Sequence, residues 1–256
     1  MNHILSKLIM YGDMPKDSIL MQLADICAQA EGDDALEKSN ALRTRVYQQV
    51  KHILKVATDY GFNENLWQSY LTFVLIMDEN PFSLTCEKIG ASEGASANHF
   101  AKNDFEAFYE LFHYDFSKLE QQLGIDCFSV LSNYHAISKP ELMYNKNVSE
   151  KVQAVSRQIE QAEDENEIFK IITDFYKAYG VGMFGLNKAF RIREAGSGVE
   201  FLPVNNTEQV LLKDLVGYEI QKKKLVDNTE AFVKGLPANN VLLFGDAGTG
   251  KSTSIK

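Results

Sequence analysis

Between residues 19 and 179, apolar side chains recur at steps of three and four, the period of a helix buried on one face. No other feature of this chain constrains its fold as much. Ile19, Leu20, Leu23, Ile26 and Cys27 form a first stripe. Val46, Val50, Ile53, Leu54 and Ala57 form a second, in a segment that Asp33 and Asp34 open with charges suited to a helix start and that ends near Gly61. Residues 66–77 are apolar almost throughout and predict a core helix, stopped by Asn80-Pro81. That run is too short to span a bilayer and contains Trp67, Gln68, Ser69 and Thr72. Residues 90–96 read as a small, polar loop. Asp104 then opens an aromatic helix with Phe105, Phe108, Tyr109, Leu111, Phe112 and Phe116. A further helix is expected over residues 127–137, broken by Lys139-Pro140. Ser149 is expected to cap a helix carrying Val152, Val155, Ile159 and Ala162. Residues 167–179 present Ile168, Ile171, Ile172, Phe175, Tyr176 and Tyr179 on one face and stop at Gly180.

The pattern then changes period. Phe190 and Ile192 alternate with Arg191 and Arg193, Ala195-Gly196-Ser197-Gly198 reads as a turn, and residues 199–204 extend again, predicting a β-hairpin. After the polar stretch 205–209, a helix is expected over residues 218–234, closed by Gly235-Leu236-Pro237. The short apolar run Val241-Leu242-Leu243-Phe244 has the character of a strand buried on both faces. The expected organisation is a helical N-terminal domain over 1–187, a hairpin connector over 188–204, and from 205 to 256 the start of an α/β core. The class is therefore mainly α.

Directly after that run stands Gly245-Asp246-Ala247-Gly248-Thr249-Gly250-Lys251-Ser252-Thr253, which contains the pattern Gly-x-x-x-x-Gly-Lys-Ser. This is the Walker A motif, or P-loop, and its residue types have a physical reason. Glycines let the backbone wrap a phosphate with N–H groups pointing inward, where a Cβ would obstruct the approach. Lys251 is expected to place its ammonium on the β- and γ-phosphates, and Ser252 to offer its hydroxyl to Mg²⁺. A helix expected to start near Gly250 would add the positive end of its dipole. The structural alternative is a glycine turn beside a surface lysine, and the apolar run before the loop argues against it.

Some thirty residues upstream, Asp214-Leu215-Val216-Gly217-Tyr218-Glu219 resembles the segment of AAA-type ATPases that folds beside the adenine ring. That resemblance implies an adenine pocket lined by Val216, Gly217 and Tyr218. It extends through Asn228-Thr229, Phe232, Gly235 and residues 237–246 to the loop itself. Together these residues resemble an uncharacterised bacterial family of AAA-type P-loop ATPases, catalogued as a domain of unknown function. The resemblance implies ATP and Mg²⁺ as ligands, coupling of ATP binding and hydrolysis to remodelling or regulation of a protein partner, and homo-oligomers of the full-length protein. After the loop come only Thr253, Ser254, Ile255 and Lys256. No acidic Walker B residues, sensor or arginine finger can be assigned, so the chain reads as the N-terminal portion of such an ATPase, with no catalytic residue of its own.

The rival reading is a helical protein-interaction module without catalytic activity. A further alternative is a DNA-linked AAA protein of the helicase-loader type. The formal net charge of −9 argues against nucleic acid and anionic membranes as bulk partners. The cysteines Cys27, Cys86 and Cys127 are far apart and odd in number, so neither a zinc site nor a disulfide framework is indicated, and a cytoplasmic setting is expected. The start of the chain does not resemble a signal peptide. His113 with Asp115 lacks a paired nucleophile. Cys127 and His135 share a helix face only loosely. The acidic residues Glu160, Glu163, Asp164, Glu165 and Glu167 read as a solvated helix end and linker, and the Phe105–Phe116 aromatics as core rather than a base-stacking surface.

Overall fold

The computed structural model describes residues 1–32, 35–136, 146–196, 198–204 and 211–255, with the backbone alone at 35–38. Asp33, Asp34, Lys139, Pro140, Ser197 and the 205–209 stretch lie outside them. The chain separates into two compact units, Met1–Asn206 and Thr207–Lys256.

The first unit is helical: α1 (Asn2–Leu5), α2 (Ile19–Ala30), α3 (Ala35–Tyr60), α4 (Leu66–Met77), α5 (Pro81–Ile89), α6 (Ser96–Phe112), α7 (Ser117–Leu123), α8 (Cys127–Ser132), α9 (Lys146–Glu160), α10 (Glu165–Tyr179) and α11 (Gly182–Leu186). The apolar stripes of α2, α3 and α10 lie where their spacing puts them. α4 is apolar around most of its circumference, so it takes the centre, against α3, α6, α8, α9 and α10. No helix among the described residues is long and apolar enough to cross a membrane.

Several boundaries differ from the sequence reading. Asn80-Pro81 does not merely stop α4; it starts α5. The Asn80 side chain accepts from the backbone N–H groups of Phe82 and Ser83, and Pro81 loses nothing at a first-turn position whose N–H has no helical partner. α6 begins at Ser96, which puts Asp104 in mid-helix rather than at its start. There the fully buried carboxylate accepts from the backbone N–H groups of Ile9, Met10 and Tyr11 at 2.7–3.0 Å, so it ties the N-terminal segment down instead of capping a helix. Phe116 lies beyond α6, as the residue that precedes α7. α8 ends at Ser132, short of residue 137. Ser149 sits one turn inside α9, and its hydroxyl donates to the Gly61 carbonyl at 2.8 Å. Asp164, read as part of a solvated acidic run, is the N-cap of α10 and accepts from Asn166 and Glu167.

Buried polar groups are placed to join elements. The Tyr176 hydroxyl donates to the Leu75 carbonyl at 2.6 Å and pairs with the Tyr11 hydroxyl at 2.8 Å, linking α10, α4 and the N-terminal segment. Trp67 Nε1 donates to the Leu111 carbonyl at the end of α6, which also accepts from the Tyr114 N–H. Phe82, Phe105, Phe108 and Tyr11 form the aromatic centre, in edge-to-face or tilted contacts.

The hairpin pairs β1 (Phe190–Ala195) with β2 (Gly198–Pro203) antiparallel, with Ile192 opposite Phe201 and Arg193 opposite Glu200. Within the first unit it is held to the helices by Phe184 of α11, whose ring meets those of Phe190 and Phe201.

The second unit contains a 3-10 turn (Leu212–Asp214) and α12 (Glu219–Val233). No described residue in it is buried. The run 241–244 is not a strand: it has no ladder partner, and Leu242 and Phe244 are 82% and 87% exposed. A strand of that composition forms only against sheet neighbours, and the described residues of this unit supply none. Residues 251–255 likewise make turns rather than a helix, as expected where one turn must carry the nucleation cost.

Candidate functional site

The glycine loop is shaped by the residues that make it. Gly245, Gly248 and Gly250 have φ of 146°, 77° and 81°, which L side chains rarely adopt. A Cβ on Gly250 would also come within 3.0 Å of Leu215 Cδ2, so this glycine permits close packing of the loop on the segment before α12. The Thr249 hydroxyl donates to the Asp246 carbonyl at 2.8 Å and closes the loop from within. Lys251 bends back over it: Nζ donates to the Gly245 and Asp246 carbonyls at 2.9 and 2.6 Å.

The approach to the loop is fixed by Asn228 of α12. Its side-chain amide donates to the Asn239 carbonyl and accepts from the Asn239 N–H, both at 2.9 Å, as a neighbouring peptide would. This sets residues 239–245 alongside α12. A groove of about 430 Å³ lies between them. Tyr218, Gln221, Lys222 and Leu225 form one wall at helical spacing, and Leu243, Phe244, Gly245, Asp246, Thr249 and Lys251 form the other.

Of the residues singled out in the sequence, Tyr218, Gly245, Asp246, Thr249 and Lys251 line this groove together. Tyr218 is the left-handed residue (φ 58°) that precedes α12 as its N-cap. Ala247, Gly248, Gly250, Ser252 and Thr253 belong to the loop but not to the groove wall. Val216 is 94% exposed, and neither it nor Gly217 lines the groove. The apolar residue facing the loop is its neighbour, Leu215.

Sequence reasoning gave Gln221 and Leu225 no role and saw Lys222 only as part of the basic cluster Lys222-Lys223-Lys224. The available signal was their spacing from Tyr218 on a single helical face. Lys222 is the more informative of these: its largely covered side chain donates to the Leu215 carbonyl at 2.9 Å and pairs with Glu219 at 2.7 Å. The groove thus presents two ammonium groups, one carboxylate, a phenol and an apolar floor. This arrangement can take an anionic ligand with a flat apolar part.

The other candidates resolve into structural roles. His113 Nδ1 is engaged with the Tyr109 carbonyl, and the Asp115 carboxyl, which receives the N–H and hydroxyl of Ser117, is held below its usual range by those bonds. Burial pushes the Cys127 thiol up to about 11, which leaves it a poor nucleophile, and His135 lies outside α8. No cluster of three or more His, Cys, Asp or Glu side chains suited to a metal occurs among the described residues. Phe105, Phe108 and Phe112 are buried in the core.

No curated protein and no solved structure matches the chain. A family model described as "Protein of unknown function (DUF815)" matches residues 186–256, a stretch that takes in the hairpin, α12 and the glycine loop.

Proposed function

We propose that residues 207–256 are the opening part of an AAA-type ATP-binding domain and that their groove holds ATP. The observation that carries this is the loop itself. It has three glycines at positive φ, no Cβ to obstruct the backbone, and the Lys251 ammonium in position to move from two carbonyls to a phosphate. On this reading the triphosphate lies along residues 245–252, with Lys251 on the β- and γ-phosphates, and the base lies beside Tyr218. Mg²⁺ is held chiefly by the phosphates, with the exposed Ser252 hydroxyl as its protein ligand. That fits an ion that keeps most of its waters and needs no carboxylate cage. In the full-length protein, ATP binding and hydrolysis are coupled to remodelling or regulating a protein partner, in a homo-oligomer. The three unpaired thiols fit a cytoplasmic setting.

Calorimetric titration of MgATP into the chain tests the proposal. Saturable binding is expected, and Lys251→Ala should weaken it by at least about tenfold, equivalent to about 1.4 kcal/mol. Equal affinities in the two proteins would overturn the assignment.

A second reading, that the helical unit is a protein-interaction module, is favoured by the hairpin. Ile192, Val199 and Phe201 share one face of the two-stranded sheet and stand exposed.

A further inference from the structure

A second groove is more spacious than the one at the glycine loop. α9 and α10 are consecutive helices joined by a short link and packed antiparallel, and between their outer faces runs a groove of about 630 Å³. Its floor is apolar, made by Val155 and Phe175, both buried. Its two ends differ in charge.

At one end is Lys151, half-buried against the groove wall. Its Nζ lies 4.3 Å from the centroid of the Tyr179 ring and reaches the Gly185 carbonyl only at 3.5 Å. No carboxylate lies within 4.0 Å of it among the described residues. Burial, reinforced by the nearby Lys188, holds this ammonium below the usual lysine range. Three other charged side chains line the groove: Glu167, Lys170 and Asp174. Glu167, at the far end, already accepts from the backbone N–H of Glu163 at 2.8 Å. Lys170 and Asp174, both exposed on α10, carry one charge of each sign.

A partly desolvated cation with only a ring face and a long carbonyl contact is stabilised by an anion placed against it. The apolar floor requires that whatever carries the anion be apolar too. We propose that this groove binds a carboxylate on an apolar stem, with Lys151 as its counter-ion and the stem over Val155 and Phe175.

Octanoate and octanol, titrated into the full chain and followed by ¹H–¹⁵N spectra, supply the test. Octanoate is expected to shift the amides of Lys151, Val155 and Phe175 and to bind at least about tenfold more tightly than octanol. Lys151→Gln should weaken octanoate by about the same factor and leave octanol unchanged, while Lys151→Arg retains octanoate. Ala154→Trp, a change on the exposed side of α9 that fills the groove, should abolish both. Octanoate that shifts no amide of α9 or α10, that binds no better than octanol, or that binds Lys151→Gln as well as the parent chain would overturn the proposal.

Discussion

Asp104 shows how a single residue fixes what spacing cannot. Its buried carboxylate collects the N–H groups of residues 9–11, and nothing in the sequence marks those residues as its partners. An acidic residue before an aromatic run reads as a helix start, because the alternative depends on a segment about a hundred residues away. Asp104→Ala leaves those donors without their acceptor, that of Tyr11 fully buried. It is expected to destabilise the chain by about 3 kcal/mol or more, read as a lowered urea midpoint at unchanged m-value. The cysteines make a second prediction at this scale. Burial pushes the Cys86 and Cys127 thiols up to about 11, from 9.0 for the free group. Both therefore stay protonated at pH 8, and a disulfide reagent should label the native chain far more slowly than the chain in urea, with the half-buried Cys127 ahead of Cys86. The sign of the linkage follows. A raised folded-state value stabilises the fold below about pH 9, and that contribution is lost as the pH climbs toward 11, so thermal stability should fall across that window.

At the scale of elements, legibility followed length. α3, α4 and α10 span three or more turns, and their apolar periods gave them away. α5 and α7 escaped notice, and α8 was expected to run on to residue 137, because short helices owe their ends to particular side chains rather than to period. Glu120 of α7, for example, accepts from the N–H groups of Phe128 and Ser129 and so starts α8. Asn80 does the same for α5, and Asn80→Ala should cost about 1–2 kcal/mol in chemical denaturation. The α10–α11 junction is tighter still: a Cβ on Gly185 would lie 2.4–2.5 Å from the Gly180 carbonyl group. Gly185→Ala is expected to lower the melting temperature by several degrees, at a cost on the order of 2 kcal/mol. The run 241–244 failed in the opposite direction. A short apolar stretch is compatible with a strand, but a strand is a property of its neighbours, which a local pattern does not contain.

Across the whole molecule, burial is uneven. Among the described residues every buried side chain belongs to the first unit and none to the second. Hydrogen exchange should therefore be slow in α4 and α10 and fast in α12, whose face packs on no core. Comparable protection of α12 and α4 would contradict that division. The candidate site was legible in part. The glycines and lysine at fixed spacing singled out the loop, and Gly245, Gly248 and Gly250 take there the positive φ that favours glycine. Leu215 and Lys222 were not legible as loop neighbours, because their role depends on how α12 lies against residues 239–245. The central claim is that this loop receives a phosphate on its backbone N–H groups. Amide spectra of the ¹⁵N-labelled chain during MgATP addition test it most directly. The account predicts saturable shifts concentrated at Gly245, Gly248, Thr249 and Gly250, absent with AMP and lost in Lys251→Ala; shifts that avoid the loop, or that persist unchanged in Lys251→Ala, would contradict it.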